Sequence, residues 1–212
     1  MKAVIFDLDG TILKSMEVWE VIDEKFLAKR GFSVPEGYVA EICARSFREA
    51  AEYTINLFNL TESADEIMAE WHEMAIYEYE NNIKLVPTAY DYLTKLKDKK
   101  IKLAVATGLS EALYKPCLIN NGIYDFFDVL CSTDHVERGK EHPDVYLLAA
   151  EKLGAEPKDC VVFEDVLPAV KSAKKAGMTV YALYDEASKN NRAEIEKISD
   201  GYLFDFENAP LF

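Results

Sequence analysis

Short apolar runs recur along this chain, and most of them stop at a polar residue or a glycine. The first is Ala3-Val4-Ile5-Phe6, which leads straight into Asp7-Leu8-Asp9-Gly10. Four apolar residues in a row, two of them β-branched, predict a strand buried on both faces and ending in a polar loop. Lys102 to Gly108, Asp128 to Ser132, Cys160 to Asp165, Met178 to Leu183 and Tyr202-Leu203-Phe204 repeat the pattern. Helical periodicity fills the gaps. One helix spans about Thr88 to Lys99, a second is capped by Ser110 and closed by Asn121-Gly122, and a third runs from Pro143 to Gly154. A fourth ends at Gly177, and an acidic-basic helix precedes the last strand. Strands alternating with helices predict an α/β fold with a parallel sheet covered on both faces.

Between the first strand and the rest, the pattern turns wholly helical. Ser15 is expected to cap a helix carrying Trp19, Ile22 and Phe26, with Gly31 ending it. Ser46 with Glu49, and Ser63 with Glu66, have capping-box spacing and predict helices of about 13 and 18 residues. The aromatic stripe reads first as the small core of this segment. From Lys14 to Lys84 there are 7 basic and 15 acidic residues, so most of the chain's net charge of −14 lies here. The expected organisation is a core of residues 1–14 and 85–212 interrupted by a helical domain of residues 15–84.

That charge argues against nucleic acid or an anionic membrane surface as partner, since both call for clustered Lys and Arg. No apolar run approaches the roughly 18 residues of a membrane span, and the apolar start is too short for a signal peptide. A cytoplasmic protein, monomeric or weakly dimeric, is expected. Cys43, Cys117, Cys131 and Cys160 show no metal-site spacing and read as reduced, mostly buried thiols.

Asp7 and Asp9 stand two apart where the first strand ends. Aspartates in such loops commonly cap helices or make turns. In extended geometry, though, these two carboxylates share a side, and neither ionises easily unless a cation joins them; Mg²⁺, hard and oxygen-seeking, suits that role. The other strand ends supply Thr107-Gly108 and Glu164-Asp165, and the loop after the third strand holds Lys140. Open α/β sheets bind ligands outside the carboxyl ends of their strands. Phosphoryl transfer uses such a set. A dianionic phosphate must be neutralised before a carboxylate attacks it, which assigns Asp7 as nucleophile and Asp9 as general acid and base. The Asp7 carboxylate, the Asp9 backbone carbonyl, Asp165 and Glu164 would hold Mg²⁺. Thr107, the Gly108 amide and Lys140 would hold the phosphate.

The D-L-D-G-T of Asp7 to Thr11, the Ala106-Thr107-Gly108 strand end, the G-K-E-H-P-D of Gly139 to Asp144 and the V-V-F-E-D of Val161 to Asp165 resemble the four motifs of the haloacid dehalogenase superfamily. The helical insertion after the first motif is similar to the cap of the branch that holds β-phosphoglucomutase and many small-molecule phosphatases. The resemblance implies a Rossmann-like core, an inserted all-helical cap, Mg²⁺, and the roles just given for Asp7, Asp9, Thr107, Lys140 and Asp165. Asp9 favours an oxygen leaving group, and Trp19 stands where the mutase carries a histidine. Glu141, Lys14 and Leu109 depart from common family residues. The expected function is a Mg²⁺-dependent phosphatase of a small phosphorylated metabolite such as a sugar phosphate. A hexose-phosphate mutase, or an aspartate-phosphorylated switch or binding protein, are the alternatives.

Overall fold

The computed structural model describes residues 3–43, 45 and 47–211, without the side chains of Ala40 and Cys43. The chain opens with β1 (Ala3–Phe6). Four helices come next, α1 (Val18–Lys29), α2 (Tyr38–Cys43), α3 (Phe47–Phe58) and α4 (Ala64–Asn81). Then come α5 (Ala89–Asp98), β2 (Lys102–Thr107), α6 (Glu111–Asn120), β3 (Val129–Ser132), α7 (Asp144–Leu153) and β4 (Cys160–Glu164). The chain ends with α8 (Leu167–Lys175), β5 (Thr179–Leu183), α9 (Arg192–Ile198) and β6 (Gly201–Leu203). These elements form two compact units, one of residues 1–16 and 83–212, the other of residues 17–82.

The first unit is a six-stranded parallel sheet in the order β3-β2-β1-β4-β5-β6 with helices on both faces. Its central strands are apolar throughout because each face meets a helical layer. Ala3 and Ile5 of β1 join Ala104, Ala106, Val162 and Val180 against Val145, Ala149 and Leu153 of α7 and Ala169, Val170 and Ala173 of α8. Phe6 points the other way, into an aromatic cluster. Its ring stacks on Phe163 at 5.1 Å and meets Tyr92 and Phe127 edge-on, each at 6.3 Å. Leaving and re-entering segments are tied together inside this unit, where Leu13 bridges Leu85 and Val86 N donates to the Ile12 carbonyl at 2.8 Å.

The second unit is all helical. Ser63 and Glu66 form the expected capping box, and α4 runs for 18 residues. Phe26 of α1 packs edge-on against Trp71 of α4 at 5.4 Å. Arg30 spans Glu62 at 2.9 Å and Glu70 at 2.6 Å while its guanidinium lies 3.7 Å over the Phe26 ring. The capping box expected of Ser46 with Glu49 lies outside the described residues, as does the Cys43 side chain.

Several local expectations change. α1 starts at Val18 with Glu17 at its N-cap and no side-chain capping bond, because the Ser15 hydroxyl is engaged elsewhere. Ser110 holds the N-cap position of α6 with an extended backbone, yet its hydroxyl bonds nothing there. Thr88 adopts φ +67° just before α5, and its Oγ1 accepts from Phe206 N at 3.0 Å, which anchors the C-terminal segment. The segment before β6 opens as a 3-10 turn over Glu186–Asn191 before α9 forms. Cys117, Cys131 and Cys160 are buried free thiols.

Candidate active site

β1 lies between β2 and β4, with Phe6 paired to Val105 on one side and to Phe163 on the other. Because the three strands are parallel and in this register, they end on the same edge, and Asp7, Thr107 and Glu164-Asp165 leave the sheet together. The chain builds outward from β1 to β2 and β3, then returns to β4 on the far side, so this edge is where the strand order reverses. Asp7 N donates to the Phe163 carbonyl at 3.0 Å, extending the ladder by one residue and holding the first acid rigidly.

Three carboxylates converge on one lysine. Lys140 Nζ lies 2.5 Å from Asp7 Oδ1 and also pairs with Glu164 Oε1. One oxygen from each of Asp7, Glu164 and Asp165 lies within 4.8 Å of the others, and all three residues are buried. Glu164 is the best-anchored of them. Its Oε1 accepts from Tyr146 Oη at 2.7 Å, and its Oε2 accepts from the backbone N–H groups of Asp165 at 3.0 Å and Val166 at 3.4 Å. Asp165 Oδ1 accepts from Thr11 Oγ1 at 3.3 Å, while Asp165 Oδ2 is buried with no partner among the described residues.

Asp9 is half-buried, and its Oδ1 accepts from Ser15 Oγ at 2.5 Å. Thr107 is buried at the end of β2, its Oγ1 accepting from Leu109 N at 3.1 Å, and Gly108 beyond it is exposed with open space at its Cα.

The electrostatics are those of a site short of positive charge. Burial pushes the Asp7 carboxyl up to about 7; Lys140 opposes that shift, and Glu164 and Asp9 reinforce it. Burial raises Asp165 well above the carboxylate range, with Glu164 and Asp7 adding to it. Lys140 titrates above its ordinary value: burial disfavours its charge, but Asp7 and Glu164 outweigh burial. One ammonium cannot neutralise three acids, and acids so placed resist ionisation until another cation joins them.

The donor set fits a hard divalent cation. Only oxygens are offered, Asp165 Oδ2 lacks a partner, and the loop leaves that oxygen room. Gly10 makes the room. It adopts φ +74°, and a Cβ there would stand 2.4 Å from Asp165 Oδ2.

Sequence pattern alone gives Tyr146, Thr11, Ser15 and Gly10 no role of their own at the site. Tyr146 sits among the apolar positions of α7, where it reads as core, and a buried tyrosine still needs a partner for its hydroxyl. Glu164 is that partner. Ser15 carries the signal of a helix cap, and only the three-dimensional path of the loop sends its hydroxyl to Asp9.

A doubly wound parallel sheet with an acid cluster and a lysine at its switch point is the arrangement of an α/β enzyme. The chain matches the haloacid dehalogenase-like hydrolases over residues 1–177 and belongs to that family. It is 31% identical over 181 residues to the bifunctional riboflavin kinase/FMN phosphatase of Arabidopsis thaliana, covering 85% of this chain and 48% of that protein, so it spans about half of that relative. It is 29% identical over 178 residues to a phosphorylated carbohydrates phosphatase of Thermotoga maritima, covering 84% and 82% of the two chains. Among solved structures, a β-phosphoglucomutase candidate from Thermotoga maritima superposes with a TM-score of 0.86 at 27% identity, covering 95% of this chain and 94% of that one. No helix among the described residues is long and apolar enough to cross a membrane.

Proposed function

We propose that this chain is a Mg²⁺-dependent phosphatase of small phosphorylated metabolites, sugar phosphates among them, that works through an aspartyl-phosphate on Asp7. The observation that carries the reading is Lys140 held between Asp7 and Glu164, with Asp165 beside them. Lys140 favours the ionised form of the buried Asp7 against burial and supplies positive charge where the phosphate must sit. Asp7 attacks phosphorus, and the ester oxygen leaves with a proton from Asp9, whose orientation Ser15 fixes. Asp9 then takes a proton from the water that cleaves the acyl phosphate, which returns Asp7. Thr107 and the Gly108 amide hold phosphate oxygens. Asp7, Asp165 and the Asp9 carbonyl would hold Mg²⁺, with Glu164 beside them, and bound there the ion neutralises the charge of the phosphate dianion. The helical unit of residues 17–82 is assigned as the family's cap domain.

A panel of phosphorylated sugars, nucleotides and cofactors, scored for phosphate release with Mg²⁺ and with a chelator, tests this. Release by the wild type with Mg²⁺, and none by a folded Asp7→Asn variant, is expected. Hydrolysis of p-nitrophenyl phosphate by that variant at the wild-type rate overturns the nucleophile. Phosphate passing to a second sugar hydroxyl, without free phosphate accumulating, marks a mutase. An acyl phosphate that lasts minutes marks a switch.

A further inference from the structure

Glu164 has all of its acceptor positions taken. A carboxylate offers about four lone-pair directions. Those of Oε2 meet the backbone N–H groups of Asp165 at 3.0 Å and Val166 at 3.4 Å, and those of Oε1 meet Tyr146 Oη at 2.7 Å and Lys140 Nζ. Asp165, the next residue, keeps Oδ2 without a partner among the described residues. Two adjacent acids at the end of β4 are thus prepared for different work, one closed by protein donors and the other left open. Tyr146 supplies the donor that closes Glu164. It belongs to the buried stripe of α7 with Val145, Ala149 and Leu153, where a phenylalanine would fill the same space. A fully buried hydroxyl there is costly unless its bond is made, and the bond it makes goes to the carboxylate that holds the lysine. The lysine Nζ also lies 5.7 Å from the centroid of the Tyr146 ring.

The same count applies to the lysine. An ammonium carries three N–H donors. Lys140 gives one to Asp7 and one to Glu164, which leaves one for a further acceptor. Without the Tyr146 hydroxyl, Glu164 Oε1 has an open acceptor position that competes for this last N–H and for any cation beside Asp165 Oδ2. We propose that Tyr146 is a positioning residue: its hydroxyl commits Glu164 to Lys140, keeps that carboxylate out of a cation's coordination, and so leaves the last lysine N–H for an oxygen of the phosphate. Tyr146 touches no reacting atom and acts through Glu164. That the last acceptor is a phosphate ester rests on the phosphatase reading; the division of work between Glu164 and Asp165 does not.

Three full-length proteins test this: the wild type, Tyr146→Phe, which removes only the hydroxyl, and Tyr146→Leu, which removes the ring as well. Calorimetry follows MnCl₂ binding to the metal-free protein and then inorganic phosphate binding to the Mn²⁺-loaded one. Tyr146→Phe should bind Mn²⁺ at least as tightly as the wild type, because Glu164 gains an acceptor position that a cation can use. Its affinity for phosphate should fall about tenfold, and its kcat for p-nitrophenyl phosphate by a similar factor. Tyr146→Leu should lose phosphate affinity to the same degree and be the less stable of the two in thermal unfolding. A disordered site would weaken both ligands together, so the opposite response of metal and phosphate separates positioning from packing. Wild-type phosphate affinity in Tyr146→Phe, a parallel loss of Mn²⁺ and phosphate, or a Tyr146→Phe chain that does not fold overturns the inference. A wild type that binds phosphate but hydrolyses no ester removes the phosphatase reading, and the two titrations still decide Tyr146. A wild type that binds no phosphate overturns both.

Discussion

Ser15 Oγ donates to Asp9 Oδ1 at 2.5 Å. The bond fixes one carboxyl oxygen of Asp9, the group proposed above to exchange a proton with the leaving oxygen. Ser15→Ala removes that restraint on the carboxyl while touching neither Asp7 nor Lys140. Turnover should fall about tenfold or more with KM little changed, because a misoriented acid weakens the transition state and spares ground-state binding. Steady-state kinetics with any accepted ester check this, and an unchanged kcat would remove Ser15 from the mechanism.

Lys140→Met leaves Asp7 and Glu164 buried together without their shared cation. Removing one partner of a buried ion pair costs about 3–5 kcal/mol. Denaturant unfolding should register that loss, and turnover should fall at least about a hundredfold. Added MgCl₂ should stabilise the variant more than the wild type, since the ion takes over the neutralising role. A variant as stable as the wild type without Mg²⁺ would show that the acids are already protonated.

Gly10→Ala strains the loop in two ways. A φ of +74° costs an L-residue about 1–2 kcal/mol, and the new methyl overlaps Asp165 Oδ2. Asp165 must swing away from Asp7 and Glu164. The Mg²⁺ concentration giving half-maximal activity should rise more than about tenfold, with a smaller drop in thermal stability. A metal titration that overlays the wild type would show that Asp165 Oδ2 faces no cation.

The sheet was legible because its signal is local. Runs such as Val4 to Phe6 and Val161 to Phe163 are apolar without alternation, which only strands buried on both faces need to be, and glycines closed the helices between them. Strand ends therefore gave the positions of Asp7, Thr107 and Glu164-Asp165. What could not be read was any role set by the meeting of distant segments. Tyr146 and Glu164 are 18 residues apart, and Thr11 and Asp165 are 154 apart, so nothing near either member announces the pair. Ser15 misled because a serine before an apolar helix carries the same signal whether it caps that helix or reaches back to a loop. α2 escaped notice because six residues give too little periodicity to detect. The aromatic stripe of α1 divided: Phe26 is fully buried as core, while Trp19 stays 41% exposed.

Asp23 makes the stability of the helical unit depend on pH. Burial, with Glu20 adding to it, pushes its carboxyl from 3.8 up to about 7. The titratable groups near it are Glu20 and the Tyr38 hydroxyl, which stays neutral over this range, and the Arg45 guanidinium lines a cavity together with Asp23. A carboxyl raised in the folded state binds its proton more tightly there than in the unfolded chain. Folding is therefore favoured by protonation, and stability contributed at low pH is lost as pH rises from about 4 to about 7. Asp23→Asn removes that dependence, because the amide carries no charge to strand. The variant should match the wild type near pH 4.5 and melt higher at pH 8. The advantage should be about 2–4 °C for each kcal/mol recovered, and each unit of upward displacement corresponds to about 1.4 kcal/mol. Thermal unfolding at the two pH values measures it. A wild type that is the more stable of the two at pH 8 would mean that Asp23 is ionised and paired in the folded chain.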